Sequence, residues 1–219
     1  IIKQVDESLL ALKRDHLDLM YFHVWEDEWA TQTEWQETIK LLTKAGKVRY
    51  WGISTNDFEP TNCLKACETG LISAVMTIFN LFYQEPIQTL FPKARALGIG
   101  IVARVPLDEG GLTGKFTPLT TFADGDFRQT YFSPNRLKQL EEHINKLKPL
   151  IDGEKIKSLP ELALRFILSF DEISATVPGM KNPKHALENL RASDLPKLDE
   201  KLLIELSHHA WNRNFYDEE

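Results

Sequence analysis

The sequence predicts an α/β protein built on a parallel sheet, and three observations predict it. Short apolar runs alternate with longer segments of roughly 3.6-residue apolar spacing along the whole chain, the pattern of repeated βα units. Gly46, Gly70 and Gly98 each stand directly after a helical segment, where a left-handed C-terminal cap falls. Asn56, Pro60, Pro86, Pro134, Pro160 and Pro183 sit at or near helix starts, where a missing N–H costs little.

Taken in order, residues 17–22 (LDLMYF), 48–53 (VRYWGI), 73–78 (SAVMTI), 99–104 (IGIVAR) and 174–177 (SATV) are the strands. Helices fall at 1–14, 33–45, 60–69, 86–97 and 158–170, with further ones at 134–149, 183–191 and 199–210. The stretch Gly110 to Ser133 is irregular and too long for an ordinary connector, so it reads as an active-site loop. A closed barrel of parallel strands needs eight, and five are visible. An open five-stranded arc has two bare edges and an unfilled interior. The expectation is therefore one domain, residues 1–219, forming the C-terminal part of a longer barrel protein. Pairing of the first strand with the last would overturn it.

At 219 residues the chain can bury a substantial core, and its net charge of −6 comes with no basic run. That disfavours nucleic acid and anionic membrane surfaces as partners, since both need clustered Lys and Arg. No apolar stretch approaches the ~18 residues of a membrane span and no signal-like segment is visible, so the expected compartment is cytoplasmic. Small-molecule or protein ligands are left, and the oligomeric state is open. Cys63 and Cys67 fall four apart without further metal ligands and read as buried or half-buried thiols.

Chemistry enters at His23, the residue closing the first apolar strand. Barrel enzymes place reacting groups at the C-terminal ends of parallel strands. Taken alone, such a histidine is more often structural. Its surroundings decide otherwise: VDESLLALKRDHLDLMYFH, KAGKVRYWGIS, GIGIVARVPLDEGGLTGKF and VPGMKNPKHALENL, in this order and each at a strand end, resemble successive landmarks of the aldo-keto reductase family. The resemblance spans nearly the whole chain. It implies a (β/α)8 TIM barrel, incomplete here with about five of eight strands, and NADPH-dependent reduction of aldehydes or ketones to alcohols.

The family uses an Asp, a Tyr, a Lys and a His, and only the His maps here, onto His23. In the resembling enzymes the Tyr protonates the carbonyl oxygen, the Lys lowers the Tyr pKa, and the His donates a hydrogen bond to the developing alkoxide. The chain alone is therefore expected to be inactive.

The cofactor residues implied by the resemblance are Ser54 for the nicotinamide carboxamide and the loop Pro106, Leu107, Gly110, Gly111, Leu112, Thr113 and Lys115 for the pyrophosphate. Gly179, Lys181, His185, Glu188 and Asn189, around a helix N-terminus, are assigned the adenosine end, with Lys181 on the 2′-phosphate. Lys184 reads equally as a solvated cap. Arg or Gln is common in the family where His185 stands, which leaves NADH as the alternative cofactor. Thr55, Met76 and Arg104 stand where the family commonly has Asn, Gln and a nicotinamide-stacking Tyr. A guanidinium plane can stack on a ring, so Arg104 is a cofactor residue too. Met76 cannot replace an amide, and Asn56 is the candidate to supply its contact.

Trp25 and Trp29 follow His23 and either wall a substrate pocket or pack a loop. Trp51 reads as core, and the tail Trp211 to Tyr216 either covers the site or is loose. Asp124-Gly125-Asp126 reads as a turn, and His208-His209 as surface residues rather than metal ligands. Two functional readings follow: an NADP-dependent carbonyl reductase, or a catalytically inactive nucleotide-binding or regulatory module on the same fold. A sugar-phosphate lyase or isomerase on another barrel is disfavoured, because no Lys or carboxylate pair occupies the strand ends.

Overall fold

The computed structural model describes residues 1–212. The chain divides into two compact units, one of Ile1–Thr77 with Pro86–Val102, the other of Ile78–Glu85 with the chain from Ala103 onwards. Five strands form one sheet in the order β1-β2-β3-β4-β5: β1 Leu17–His23, β2 Val48–Ser54, β3 Ala74–Ile78, β4 Gly100–Arg104 and β5 Ile173–Thr176. Strand order follows chain order, as right-handed βα crossovers produce. The first and last strands are not neighbours in it.

In the first unit, α1 (Ile2–Leu12) leads into β1, then come a 3₁₀ turn at Asp27–Thr31, α2 (Thr33–Lys44), β2, the single turn α3 (Leu64–Cys67) and most of β3. A pair of short helices follows, α4 (Pro86–Thr89) and α5 (Phe91–Leu97), before β4. The α2 face Trp35, Ile39 and Leu42 is buried because these positions recur at helical spacing. Trp51 of β2 is buried and its indole N–H donates to Thr43 Oγ1 at 3.0 Å, fastening α2 to the strand. Phe22, Trp25, Trp35 and Trp51 form one aromatic cluster, with the Trp25 and Trp35 rings 5.1 Å apart.

The β1–β2 ladder is parallel, pairing Tyr21 with Gly52 and His23 with Ser54. Gly52 is required there: a Cβ would lie 2.5 Å from the Tyr21 ring. Residues alternate faces along a strand, so Tyr21 and His23 share one face.

In the second unit, β4 is followed by a 3₁₀ segment at Asp108–Thr113, the short α6 (Arg128–Tyr131) and then α7 (Pro134–Leu147). Farther along come α8 (Leu159–Leu168), β5, α9 (Pro183–Asp194) and α10 (Glu200–Ser207). Each of the four longer helices has a side-chain N-cap: Ser133, Ser158, Asn182 and Asp199 accept from the N–H three residues on. Leu162, Ala163, Phe166 and Ile167 of α8 are buried, and Phe166 meets Phe79 and Phe170 at ring separations of 5.7 and 5.2 Å.

All five predicted strands are present within one residue at each end. Several helices and the long loop need correction: the helix predicted at 183–191 runs on to Asp194, and the one at 199–210 stops at Ser207. The first helix ends at Leu12, since Lys13 turns left-handed at φ 53°. The helix predicted at 60–69 is only Leu64–Cys67, preceded by turns, so Cys63 lies at its N-cap; both thiols are free and buried. The helix predicted at 86–97 breaks at Leu90, where Pro92 has no N–H to continue it. The stretch Gly110 to Ser133 is not wholly irregular, holding the end of the 3₁₀ segment and all of α6. Gly46, Gly70 and Gly98 adopt positive φ of 73°, 74° and 67°.

Candidate cofactor and active site

In the first unit the candidate residues gather where β1 and β2 end. His23 is exposed and is the register partner of Ser54. Ser54 is 1 % exposed, and its hydroxyl has no hydrogen-bond partner among the described residues. A buried hydroxyl without a partner is uncommon and costs about 1–3 kcal/mol, which makes it a marker for an absent ligand. Others lie in the same strand-end region: Tyr21 Oη, Trp25 Nε1, Asn56 Oδ1 and Asn62 Oδ1 are also buried without partners. Burial raises the Tyr21 phenol above its ordinary pKa.

The neighbouring loops are held by side-chain to main-chain bonds. Asn62 Nδ2 donates to Trp25 O at 2.8 Å, and Asn56 Nδ2 donates to Glu59 Oε2 at 3.1 Å. Thr55 donates its N–H to Met76 O at 2.9 Å and its hydroxyl to Thr77 Oγ1 at 3.1 Å, so it is committed to the sheet. Met76 is half-buried. Of the two tryptophans proposed as pocket walls, Trp25 is buried in the aromatic cluster, whereas Trp29 is 39 % exposed and packs edge-on against it at 5.7 Å. Loop packing is what Trp25 does; Trp29 alone presents a surface.

In the second unit, Arg104 ends β4 half-buried, and its carbonyl accepts from Phe79 N at 3.3 Å. The chain then turns sharply. Val105, Asp108 and Glu109 have φ of 55°, 49° and 51°, and Gly110 has 106°. Such values strain any residue but glycine, and runs of them cluster at ligand-binding backbone. Pro106, Gly111 and Leu112 are buried, Leu107, Gly110 and Thr113 half-buried, and Lys115 exposed. Thr113 Oγ1 donates to Gly110 O at 2.6 Å, tightening the turn.

This turn is underpinned by a cluster that sequence reasoning missed. Asp108 accepts from Tyr131 Oη at 2.7 Å and from Arg136 Nη2 at 3.1 and 3.2 Å. Burial lowers the Arg136 pKa, opposed by the Asp108 carboxylate, and burial likewise raises that of Tyr131. The only signal was an arginine one position from Leu137 on the apolar face of α7.

Beyond β5, Asn182 caps α9 by accepting from His185 N at 2.9 Å, and Asn189 Nδ2 donates to Gly179 O at 3.1 Å. Gly179, Lys181 and Glu188 are exposed, His185 and Asn189 half-buried. Lys184 reaches Glu188 at 3.8 Å on the helix surface, the solvated-cap role. Gly125 has φ 80° in the Asp124–Asp126 turn, and Arg128 beside Asp126 holds that carboxyl down to about 2. No His, Cys, Asp or Glu cluster able to hold a metal occurs among the described residues. Trp211 N donates to Phe82 O at 2.6 Å, while residues 213–216 of the predicted tail lie outside the described residues.

Parallel strands in chain order, separated by helices, define an α/β protein of repeated βα units. Solved structures share the fold: a glycerol dehydrogenase, AKR11B4, from Gluconobacter oxydans superposes with a TM-score of 0.79 at 23% identity, over 97% of this chain and 65% of that one. The aldo-keto reductase AKR11C1 from Bacillus halodurans, holo form, gives 0.75 at 21%, covering 95% and 66%. The model of the aldo/keto reductase family matches residues 1–209, and the chain belongs to that family. Aldo-keto reductase YhdN of Bacillus subtilis (strain 168) is 30% identical over 205 residues, which is 92% of this chain and 61% of the relative. Aldo-keto reductase yakc [NADP(+)] of Schizosaccharomyces pombe is 30% identical over 198 residues, 88% and 57%. The chain thus spans about three-fifths of the length of the curated relatives it matches.

Proposed function

We propose that this chain is the cofactor-binding part of an NADPH-dependent carbonyl reductase, contributing five strands of an eight-stranded barrel and one catalytic residue, His23. The observation that carries the reading is the register pair His23 and Ser54, an exposed imidazole beside a buried hydroxyl without a partner. Ser54 fits a nicotinamide carboxamide, which has both a donor and an acceptor to offer it. His23 donates a hydrogen bond to the carbonyl oxygen, orienting the substrate and stabilising the alkoxide.

In the second unit the strained turn Pro106–Thr113 with Lys115 binds the pyrophosphate, and Arg104 lies against the nicotinamide ring. Lys181, at the N-terminus of α9 with Gly179, His185, Glu188 and Asn189, holds the adenosine end, with Lys181 favouring a 2′-phosphate. Bound NADPH supplies the hydride. The S. pombe relative's name, which carries NADP(+), supports the cofactor assignment. The substrate is a small aldehyde or ketone. No helix among the described residues is long and apolar enough to cross a membrane, and a cytoplasmic location is part of the proposal.

Fluorescence titration with NADPH and NADH tests the reading: NADPH binds more tightly, and Lys181→Ala narrows the difference. Binding of neither would overturn it. The chain alone is expected to show no carbonyl reduction, because a general acid such as the family tyrosine contributes about 10²- to 10⁴-fold. The second reading, a regulatory nucleotide-binding module, is favoured by one relative: a probable voltage-gated potassium channel subunit beta of Oryza sativa subsp. japonica, 25% identical over 209 residues. Cofactor binding without turnover, even when the chain is joined to a segment bearing the family Asp, Tyr and Lys, would select it.

A further inference from the structure

The least expected feature of the second unit is a fully buried ion pair under a strained turn. Asp108 is 2 % and Arg136 4 % exposed, and both carboxylate oxygens lie within 3.2 Å of Arg136 Nη2. The Arg136 guanidinium carbon also sits 4.1 Å above the Tyr131 ring, 5.2 Å from Phe132 and 5.3 Å from Trp211. Such a pair is a poor device for stability, since packed apolar residues of similar volume often serve as well. What it does provide is direction: two bonds from one nitrogen and a third from Tyr131 Oη fix the carboxylate and the backbone that carries it.

That backbone is the turn with left-handed φ at Asp108, Glu109 and Gly110. Gly111 completes the fit, because a Cβ there would stand 2.6 Å from Asp108 Oδ2. The three partners are distant in sequence, Tyr131 lying 23 and Arg136 28 residues after Asp108. The bonds therefore close residues 109–130 into a loop at its base. Inside that loop Phe116 and Phe122 pack at 5.3 Å, and both meet Phe132 beyond it.

We propose that Asp108, Tyr131 and Arg136 form a buried clasp that closes the base of the 109–130 loop and sets cofactor affinity without touching the cofactor. The proposal rests on the reading above that residues 106–115 take the pyrophosphate. An unclasped loop populates the binding-competent backbone only part of the time, and affinity falls by that fraction. These are positioning residues.

The test compares the wild-type chain with Tyr131→Phe and with Asp108→Leu/Arg136→Met, the latter removing both charges at once so that no lone ion is buried. Hydrogen exchange without ligand reads the clasp; NADPH fluorescence titration reads its consequence. Adenosine 2′,5′-bisphosphate, which has no pyrophosphate, is the control. In both variants exchange across 109–130 rises about 10-fold or more while β4 stays protected, and NADPH binds about 10-fold more weakly. The bisphosphate binds all three proteins alike. A role in stability alone would lower the melting temperature and leave NADPH affinity unmoved. Unchanged NADPH affinity in a folded variant, or unchanged loop exchange in the double variant, overturns the proposal while the cofactor reading stands. If the wild-type chain binds neither NADPH nor NADH, the cofactor reading itself fails and the proposal falls with it.

Discussion

The end of the β1–β2 ladder and the turn after β4 solve the same problem, presenting polar groups to a ligand, in opposite ways. At the first, His23 and Ser54 are placed by strand register alone, His23 exposed and the Ser54 hydroxyl without a partner among the described residues. At the second, the binding backbone is placed by side chains far along the chain, and Asp108 at its centre is hydrogen-bonded by two of them. A regular ladder needs no further support, because each residue's direction follows from the pleat. An irregular turn with left-handed residues has no such template and needs one built beneath it.

Breaking the template should therefore have the largest effect. Arg136→Met leaves the Asp108 carboxylate buried without its cation, still accepting from Tyr131 Oη, and should cost about 3–5 kcal/mol, by the usual loss when one member of a buried pair is removed. Urea unfolding of the single and the Asp108→Leu/Arg136→Met variants checks this. The double variant should recover most of the loss. If it is as unstable as the single variant, the pair is a net source of stability and the contrast between the two regions weakens.

A smaller effect is expected where register does the work. Gly52→Ala puts a methyl 2.5 Å from the Tyr21 ring, which must move or push the strands apart, at about 1–3 kcal/mol. Tyr21→Leu should relieve it. If the two changes are additive in a double-mutant cycle, the ring is not what excludes the methyl and the close approach of Tyr21 to β2 is not what orders this end of the ladder.

The contrast also explains what could be read from the chain in advance. Strand positions were legible to a residue because β1, β2 and β4 are short apolar runs between polar or glycine breaks, and His23 followed as the last residue of one of them. Ser54, the residue after the predicted second strand, was legible through the family resemblance rather than through the apolar pattern. The clasp was not: Asp108, Tyr131 and Arg136 carry no periodic signal, and their meeting depends on how a 23-residue separation folds back. Nor was the single turn of α3, where apolar spacing at 60–69 suggested a full helix. There, the main chain closes i to i+3 turns instead, Asn62 N donating to Glu59 O at 3.3 Å and Leu64 N to Thr61 O at 3.1 Å, while Asn62 Nδ2 ties the segment to Trp25 O. Trp25 itself showed the limit of residue type: an aromatic after a strand end fits a pocket or a core, and only packing decides.

Ser54→Ala sharpens the comparison from the other side. Deleting a buried hydroxyl without a partner should leave stability unchanged or raise it by up to about 1 kcal/mol, while NADPH affinity falls. Thermal unfolding and NADPH titration on the same sample separate the two. Loss of stability would mean the hydroxyl already has a partner and is not held open for a ligand.

The smallest effect expected is a dependence on pH confined to the second unit. His143 stacks on Trp211 at 4.3 Å and meets Phe82 edge-on at 5.8 Å, and burial holds its pKa below 6.5, with Lys146 and His209 pushing the same way and Glu142 opposing. His209 is lowered too, first by burial. A histidine with a depressed folded pKa takes its proton in the unfolded chain first. Stability is therefore full above about 6.5 and declines as pH falls from there toward the folded value. Unfolding midpoints measured from pH 8 to 5 should show this decline, and His143→Gln should flatten it. Trp211 adds a local readout, since its N–H holds Phe82 O and its ring lies 5.3 Å from the Arg136 guanidinium carbon. If protonating His143 loosens that contact, Trp211 emission shifts before global unfolding and NADPH affinity falls in the same pH range. A shift in emission with affinity unchanged would place Trp211 outside the clasp, leaving Asp108, Tyr131 and Arg136 to act without it.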